Sequence, residues 1–242
     1  MFHSDFVLKE GAFVVSDAHY SYLRPQLLNF LQDIESNKLQ PTQLILMGDI
    51  FDALFGGIKK SIERNSEAIS IINTLSQRME VLYLEGNHDF NLKRIFPHVK
   101  VFPLSKQPVS CMCKDEKVIL SHGDFDGVLA YKVYSSIVRN RFVLKFLNLF
   151  DTYLFSKLDV YLSQKDDCKE LHWFEGFIRK RIANNYDAHH FIEGHFHQNK
   201  IIKLDTINYI NLAAFACNQR YFIVNSSKDK KFLCEKTFSK ET

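Results

Sequence analysis

The sequence predicts an α/β (α+β) fold in which two sheet layers are flanked by helices, and three observations carry that reading. Short apolar runs recur where fully buried strands would lie, at 12–16, 43–47, 80–84, 117–121 and 188–193. The early runs alternate with helical patterns near 22–36 and 61–77, as in βαβ units. After residue 198 come short β-like runs at 201–204, 209–212, 221–224 and 232–234, divided by polar turns, which predict a mostly antiparallel region.

At 242 residues and 46% hydrophobic, the chain can bury a substantial core, and it reads as one domain over 1–242 with a helical insertion at about 127–184. Within 142–162 the polar residues Lys145, Asn148, Thr152, Ser156 and Asp159 recur every three or four positions, a narrow polar stripe on an otherwise apolar helix. Most of that helix surface needs cover. The domain itself could supply it. Alternatively, the face receives an apolar substrate or rests on a bilayer, helped by Arg139, Arg141, Lys145, Arg179, Lys180 and Arg181.

A formal net charge of +3, from 31 basic and 28 acidic residues, is too weak to indicate nucleic acid, and no nucleic-acid partner is expected. The five cysteines, at 111, 113, 168, 217 and 234, are odd in number and scattered, with no second pair at zinc-finger spacing, so reduced thiols are expected. The N-terminus carries Asp5, Lys9 and Glu10 rather than a signal-peptide apolar stretch. No run reaches the roughly 18 uninterrupted apolar residues of a spanning helix. A protein inside the cell, soluble or attached to a membrane surface, is expected.

Each of the five early runs delivers a residue that can bind a metal: Asp17, Asp49, Asn87, His122 and His195, three of them preceded by Gly48, Gly86 and Gly194. Ligands bind outside the carboxyl ends of such strands. His19 and His197 lie two residues beyond Asp17 and His195, and in an extended segment each pair would point to one side and grip one cation. A lone Gly-Asp is a turn, and a lone histidine an ordinary hydrogen-bonded residue; five such elements in order are a site. Crowding Asp17 and Asp49 at buried strand ends costs several kcal/mol unless each charge is compensated. Nitrogen and oxygen donors without thiolate favour manganese, iron or zinc. Seven ligands exceed one tetrahedral site, so two divalent cations sharing a carboxylate are expected, able to clamp a phosphoryl centre and activate water. In Gly86-Asn87-His88-Asp89 the amide would ligate while His88 faces the substrate.

This ordered set resembles the calcineurin-like metallophosphoesterases. The resemblance spans the whole sandwich and implies a four-layer αββα architecture. It implies that Asp17, His19, Asp49 and His197 hold one cation and that Asp49 bridges to a second, held by Asn87, His122 and His195. It also implies that His88 stabilises the phosphate or protonates the leaving oxygen, with Asp89 orienting it. Within the superfamily, Gly48-Asp49-Ile50-Phe51-Asp52, Asn87-His88-Asp89-Phe90 and His122-Gly123-Asp124, followed by Tyr131 and Arg139-Asn140, are most similar to the UDP-2,3-diacylglucosamine pyrophosphatases of lipid A biosynthesis. That likeness implies two divalent cations, foremost Mn2+, and cleavage of the acylated UDP-sugar by water at the α-phosphorus. It further implies an insertion acting as an acyl-binding lid and substrate contacts from Asn87, Tyr131, Arg139 and Arg141. Peripheral attachment to the cytoplasmic face of the inner membrane, with no obligate protein partner, completes the expectation. The chain departs from that subfamily's usual residues at Gly56-Gly57, His88, Phe196 and Gln198, so hydrolysis of a different, soluble phosphoester is the alternative, and a non-catalytic scaffold a third.

Overall fold

Alternation along the central strands separates three interiors. In the computed structural model, which describes residues 4–127, 129–150, 168–183, 185–227 and 231–239, Phe13, Val15, Leu44, Leu46, Val81 and Tyr83 pack with Phe30, Leu31, Ile34, Ile72 and Leu75 of helices Gln26–Glu35 and Ser66–Arg78. Val14, Ile45 and Leu82, one residue out of phase, face the opposite way onto Val118, Leu120, Ile192 and Ile210. Beyond that second sheet, Ile119, Phe191 and Tyr209 pack on Phe174, Ile178 and Ile182, one stripe of helix Phe174–Ile182. Helix, sheet, sheet, helix is the expected αββα order.

Among the described residues each layer is a six-stranded sheet. One runs, in spatial order, Phe6–Val7, Val109–Cys113, Glu116–Ser121, His190–Glu193, Ile207–Asn211 and Lys200–Leu204. The other runs Leu233–Thr237, Arg220–Val224, Phe13–Val15, Leu44–Leu46, Val81–Leu84 and Lys100–Phe102. The strands that lead to the candidate ligands are parallel within each sheet, Glu116–Ser121 to His190–Glu193 in the first and Phe13–Val15 to Leu44–Leu46 to Val81–Leu84 in the second. Phe13–Val15 and Glu116–Ser121 each have an antiparallel neighbour on the other side, but the carboxyl ends of the parallel strands within each sheet open on one side.

Two sequence readings are refined. The region after residue 198 is antiparallel within its two hairpins, yet Ile207–Asn211 lies parallel to His190–Glu193. The helix expected over 61–77 breaks at Asn65 into Lys59–Arg64 and Ser66–Arg78, because the Asn65 amide turns inward and donates to the carbonyls of Ala53 and Ser61.

The insertion contributes helices Leu129–Val138, Arg141–Leu147 and Phe174–Ile182. The long helix expected over 142–162 instead tightens to a 3-10 turn at Asn148–Phe150, where the Asn148 side chain accepts the Lys59 N–H; Thr152, Ser156 and Asp159 lie outside the described residues. Leu144 packs with Ala53, Ile58 and Phe90, but cover is partial: Leu129, Val133, Ile137, Phe142 and Phe146 stay exposed. No helix among the described residues is long and apolar enough to cross a membrane.

The cysteine expectation is corrected. Cys168 and Cys217 form a disulfide, while Cys111, Cys113 and Cys234 are free. The partners are separated by 49 residues, and only the return of the insertion past the short helix Phe215–Asn218 brings them together. Thiol titration of the denatured protein should therefore count three thiols before reduction and five after it; five without reductant would contradict the pairing.

Candidate metal centre

All seven predicted ligand residues lie at one rim. Ligand atoms of Asp17, His19 and His197 fall within 4.8 Å of one another, and so do those of Asp49, His122 and His195. The Asn87 amide oxygen lies 3.4 Å from His122 Nε2. Backbone hydrogen bonds join the two groups, from the Asp17 N–H to the Gly48 carbonyl and from the His19 N–H to the Asp49 carbonyl.

The route to this convergence differs from the extended segments expected. Asp17, His19, Asp49, His195 and His197 all adopt left-handed backbone, with φ between 44° and 61°. Non-glycine residues rarely do so, and the strain persists only where surrounding contacts enforce it. Here the Asp17 carboxylate accepts the Ser16 hydroxyl and the His195 N–H, and Asp49 Oδ1 accepts the His88 N–H. Two glycines make room: a Cβ on Gly194 would sit 2.0 Å from Ser16 Oγ and 2.5 Å from Asp17 Oδ2, and one on Gly86 only 2.1 Å from Asp49 Oδ1. Strand-end loops are thus bent to bring oxygen and nitrogen atoms together.

The donor chemistry fits divalent cations. His122 is fully buried and its Nδ1 donates to the Met47 carbonyl at 3.0 Å, which aims Nε2 inward at Asp49. Metal-binding histidines are oriented in this way by a carbonyl on the far ring nitrogen. Burial opposes a charge on His122, but the Asp49 carboxylate outweighs it and raises the imidazole well above its ordinary range, so Nε2 must release a proton to ligate. His122 Nε2 lies 3.4 Å from Asp49 Oδ2, and His197 Nε2 lies 3.0 Å from Asp17 Oδ1. Electrostatics follow from these contacts. Burial alone would raise the Asp17 carboxyl, but His197 outweighs it and holds the group at about 2. Burial likewise opposes ionisation of Asp49, yet His122 and His88 keep it well below the usual carboxylate range. Burial and the nearby His122 charge push His195 down to about 4, so it stays neutral and able to ligate. A divalent metal site is what this set of groups can build.

His88 sits beside the first group, its ring 5.0 Å from that of His19. Its Nδ1 donates to the Asp52 carbonyl at 2.9 Å, which fixes the ring and leaves Nε2 outside that bond. The Asp52 carboxylate also lies 3.2 Å from His19 Nδ1, so one aspartate holds a ligand histidine and His88 together. Sequence reasoning gave Asp52 no role, although its position three residues after Asp49 was a signal.

Asp89 does something other than orient His88. Its carboxylate accepts the N–H groups of Asp49, Ile50 and Gly86 and the Tyr83 hydroxyl. None of its described hydrogen bonds reaches the His88 ring. It pins together the backbone of two ligand-bearing loops, and burial with the Asp49 charge beside it pushes its carboxyl up to about 7.

Of the expected substrate contacts, Tyr131 donates to Asp124 at 2.6 Å. Arg139 donates to the Gly86 carbonyl at 2.8 Å, reaches Glu85 at 3.4 Å and stacks on Phe90. Both polar ends are committed to the protein beside Asn87, whereas Arg141 is exposed at the first turn of its helix.

Comparison with known proteins places this geometry. The chain is 27% identical over 134 residues to a UDP-2,3-diacylglucosamine hydrolase of Histophilus somni (strain 129Pt), covering 54% of this chain and 57% of that one. It is 30% identical over 113 residues to the Stutzerimonas stutzeri (strain A1501) protein of the same name, covering 46% and 47%. The chain thus spans about half the length of the curated relatives it matches. A solved archaeal phosphodiesterase aligns with 94% of this chain and 99% of its own, at 15% identity and a TM-score of 0.46. The calcineurin-like phosphoesterase family profile matches residues 12–199, from the strand before Asp17 through both histidines of the last loop. The chain belongs to that family of metal-dependent phosphoester hydrolases.

Proposed function

We propose that this protein hydrolyses the pyrophosphate of UDP-2,3-diacylglucosamine, with water attacking the α-phosphorus and UMP and 2,3-diacylglucosamine 1-phosphate leaving. One observation carries the reading: exposed apolar side chains stand beside the rim where the Asp and His ligand atoms converge. Leu129 is 77% and Phe142 83% exposed, and Val133, Ile137 and Phe146 are exposed on the same two helices. Arg139 and Tyr131 tie them to the rim through Gly86 and Asp124. Acyl chains buried here gain about 0.8 kcal/mol per methylene, binding energy remote from phosphorus that can position the pyrophosphate. A small soluble ester would have no use for such a surface. The relatives named UDP-2,3-diacylglucosamine hydrolase support the same substrate.

In this reading Asp17, His19, Asp49 and His197 would hold one divalent cation, and Asp49, Asn87, His122 and His195 another, with Mn2+ the proposed occupant. When bound, the pair supplies positive charge against the phosphoryl oxygens and an activated water near neutral pH. His88, its Nδ1 proton engaged by the Asp52 carbonyl, presents Nε2 to stabilise or protonate the leaving oxygen. Arg141 is available to the nucleotide phosphates. With Lys145 on the same helix it would also assist peripheral attachment to an anionic membrane surface, taken here as the cytoplasmic face of the inner membrane.

Hydrolysis of the acylated UDP-sugar in ¹⁸O-water tests this, with mass analysis of both products. Label in UMP is expected. Label in the lipid product would overturn attack at the α-phosphorus. Absence of turnover with Mn2+, Fe2+ and Zn2+, while a soluble phosphodiester is cleaved, would replace the substrate.

A further inference from the structure

The strand His190–Glu193 buries a charge. Glu193 is fully inaccessible, in a layer otherwise lined by Ile119, Phe191 and Tyr209, and it stands two residues before His195. A carboxylate there requires a cation or several donors, and the partner comes from the insertion. Arg181, on helix Phe174–Ile182, donates from Nη1 to Glu193 Oε2 at 2.7 Å and from Nη2 to Oε1 at 2.9 Å. Tyr209 adds its hydroxyl to Oε2 at 2.8 Å.

The same guanidinium reaches a second loop. Its Nη2 donates to the Gly123 carbonyl at 3.1 Å, and its Nε donates to Asp126 at 2.6 Å. Gly123 directly follows His122. The two loops touch, since a Cβ on Gly123 would lie 2.8 Å from the Cβ of His195. The rings of Phe125, Phe177 and Phe196 surround the guanidinium, and its side chain is only 6% exposed. One buried fork therefore spans both loops that carry imidazoles of the Asp49, His122 and His195 group.

We propose that Arg181 is a positioning residue that fixes His122 and His195 relative to each other and so sets the affinity of their group for its cation, making the packing of helix Phe174–Ile182 a condition for filling that half of the site. The proposal rests on the two-cation reading above. The other half depends on it less: Asp17 and His19 follow a strand of the opposite sheet, and the His197 loop keeps a separate anchor, the Gln198 N–H donated to Asn211 at 2.7 Å. Lysine cannot replace the fork, because a single ammonium does not reproduce a planar bidentate grip.

Mn2+ titration of the full-length protein, followed by calorimetry and electron paramagnetic resonance, provides the test. Wild type should take two ions and give a spin-coupled signal. Arg181→Lys should fill one site at the same concentration, give the hyperfine pattern of isolated Mn2+, and regain the coupled signal only at about 10–100-fold more metal, the usual effect of losing an outer partner of a ligand. A variant that titrates like wild type overturns the proposal. If Arg181→Lys does not fold, the double variant Arg181→Met with Glu193→Met replaces the buried pair by apolar groups, an exchange cores tolerate. It should still show the weakened second ion, and wild-type binding by it would overturn the proposal equally. A wild-type protein that takes fewer than two ions would be a different failure, that of the two-cation reading itself.

Discussion

Asp49→Ala should lower turnover of every phosphoester by at least about 10³-fold, the scale expected when several kcal/mol of charge stabilisation at phosphorus are lost. The residue has three attachments that alanine cannot supply. Asp49 Oδ2 lies 3.4 Å from His122 Nε2, Oδ1 accepts the His88 N–H at 2.8 Å, and its carboxylate belongs to the same ligand group as His195. Its place between the two groups, with its own carbonyl accepting the His19 N–H and the preceding Gly48 carbonyl accepting the Asp17 N–H, makes it the only carboxylate of the set proposed to serve both cations. Asp49→Asn separates charge from shape, because the amide oxygen can still accept the His88 N–H. That variant should fold like wild type in metal-free buffer and remain inactive. Rates and Mn2+ content measured on both variants check the role, and turnover retained by metal-saturated Asp49→Ala would contradict bridging.

Strand ends were the legible part of this chain because burial on both faces leaves an unmistakable apolar run, and the ligand sits where the run stops. The runs read at 43–47, 80–84 and 117–121 became Leu44–Leu46, Val81–Leu84 and Glu116–Ser121. Short strands were missed where that signal is weak. Val109–Cys113 alternates, but through serine, methionine and two cysteines, and Leu54–Phe55 and Asp89–Phe90 span only two residues each. The site's composition could be read, whereas its mechanics could not. Left-handed backbone at Asp17, His19, Asp49, His195 and His197 is imposed by contacts from residues distant in sequence, and no local spacing encodes it. Glu193 is the instructive case. A lone acid in Phe191-Ile192-Glu193-Gly194 announces a buried partner, but only the packing of helix Phe174–Ile182 identifies Arg181.

Asp89→Ala should unfold or severely destabilise the protein, an effect apart from catalysis. The carboxylate is wholly buried, and Oδ1 accepts the N–H groups of Asp49 at 3.1 Å and Gly86 at 2.9 Å. Oδ2 accepts the Ile50 N–H at 2.6 Å and the Tyr83 hydroxyl at 2.5 Å. Alanine leaves these donors buried without an acceptor, each at roughly 1–3 kcal/mol, so a combined loss above about 4 kcal/mol is expected, a large fraction of an ordinary domain's 5–15 kcal/mol. Asparagine rescues little, since its amide nitrogen would confront an N–H or hydroxyl that needs an oxygen. Urea denaturation of metal-free wild type and Asp89→Asn decides between two roles: the midpoint should fall with little change in slope. An unshifted midpoint with lost turnover would instead return Asp89 to the chemistry, as a residue that orients His88 in the occupied site.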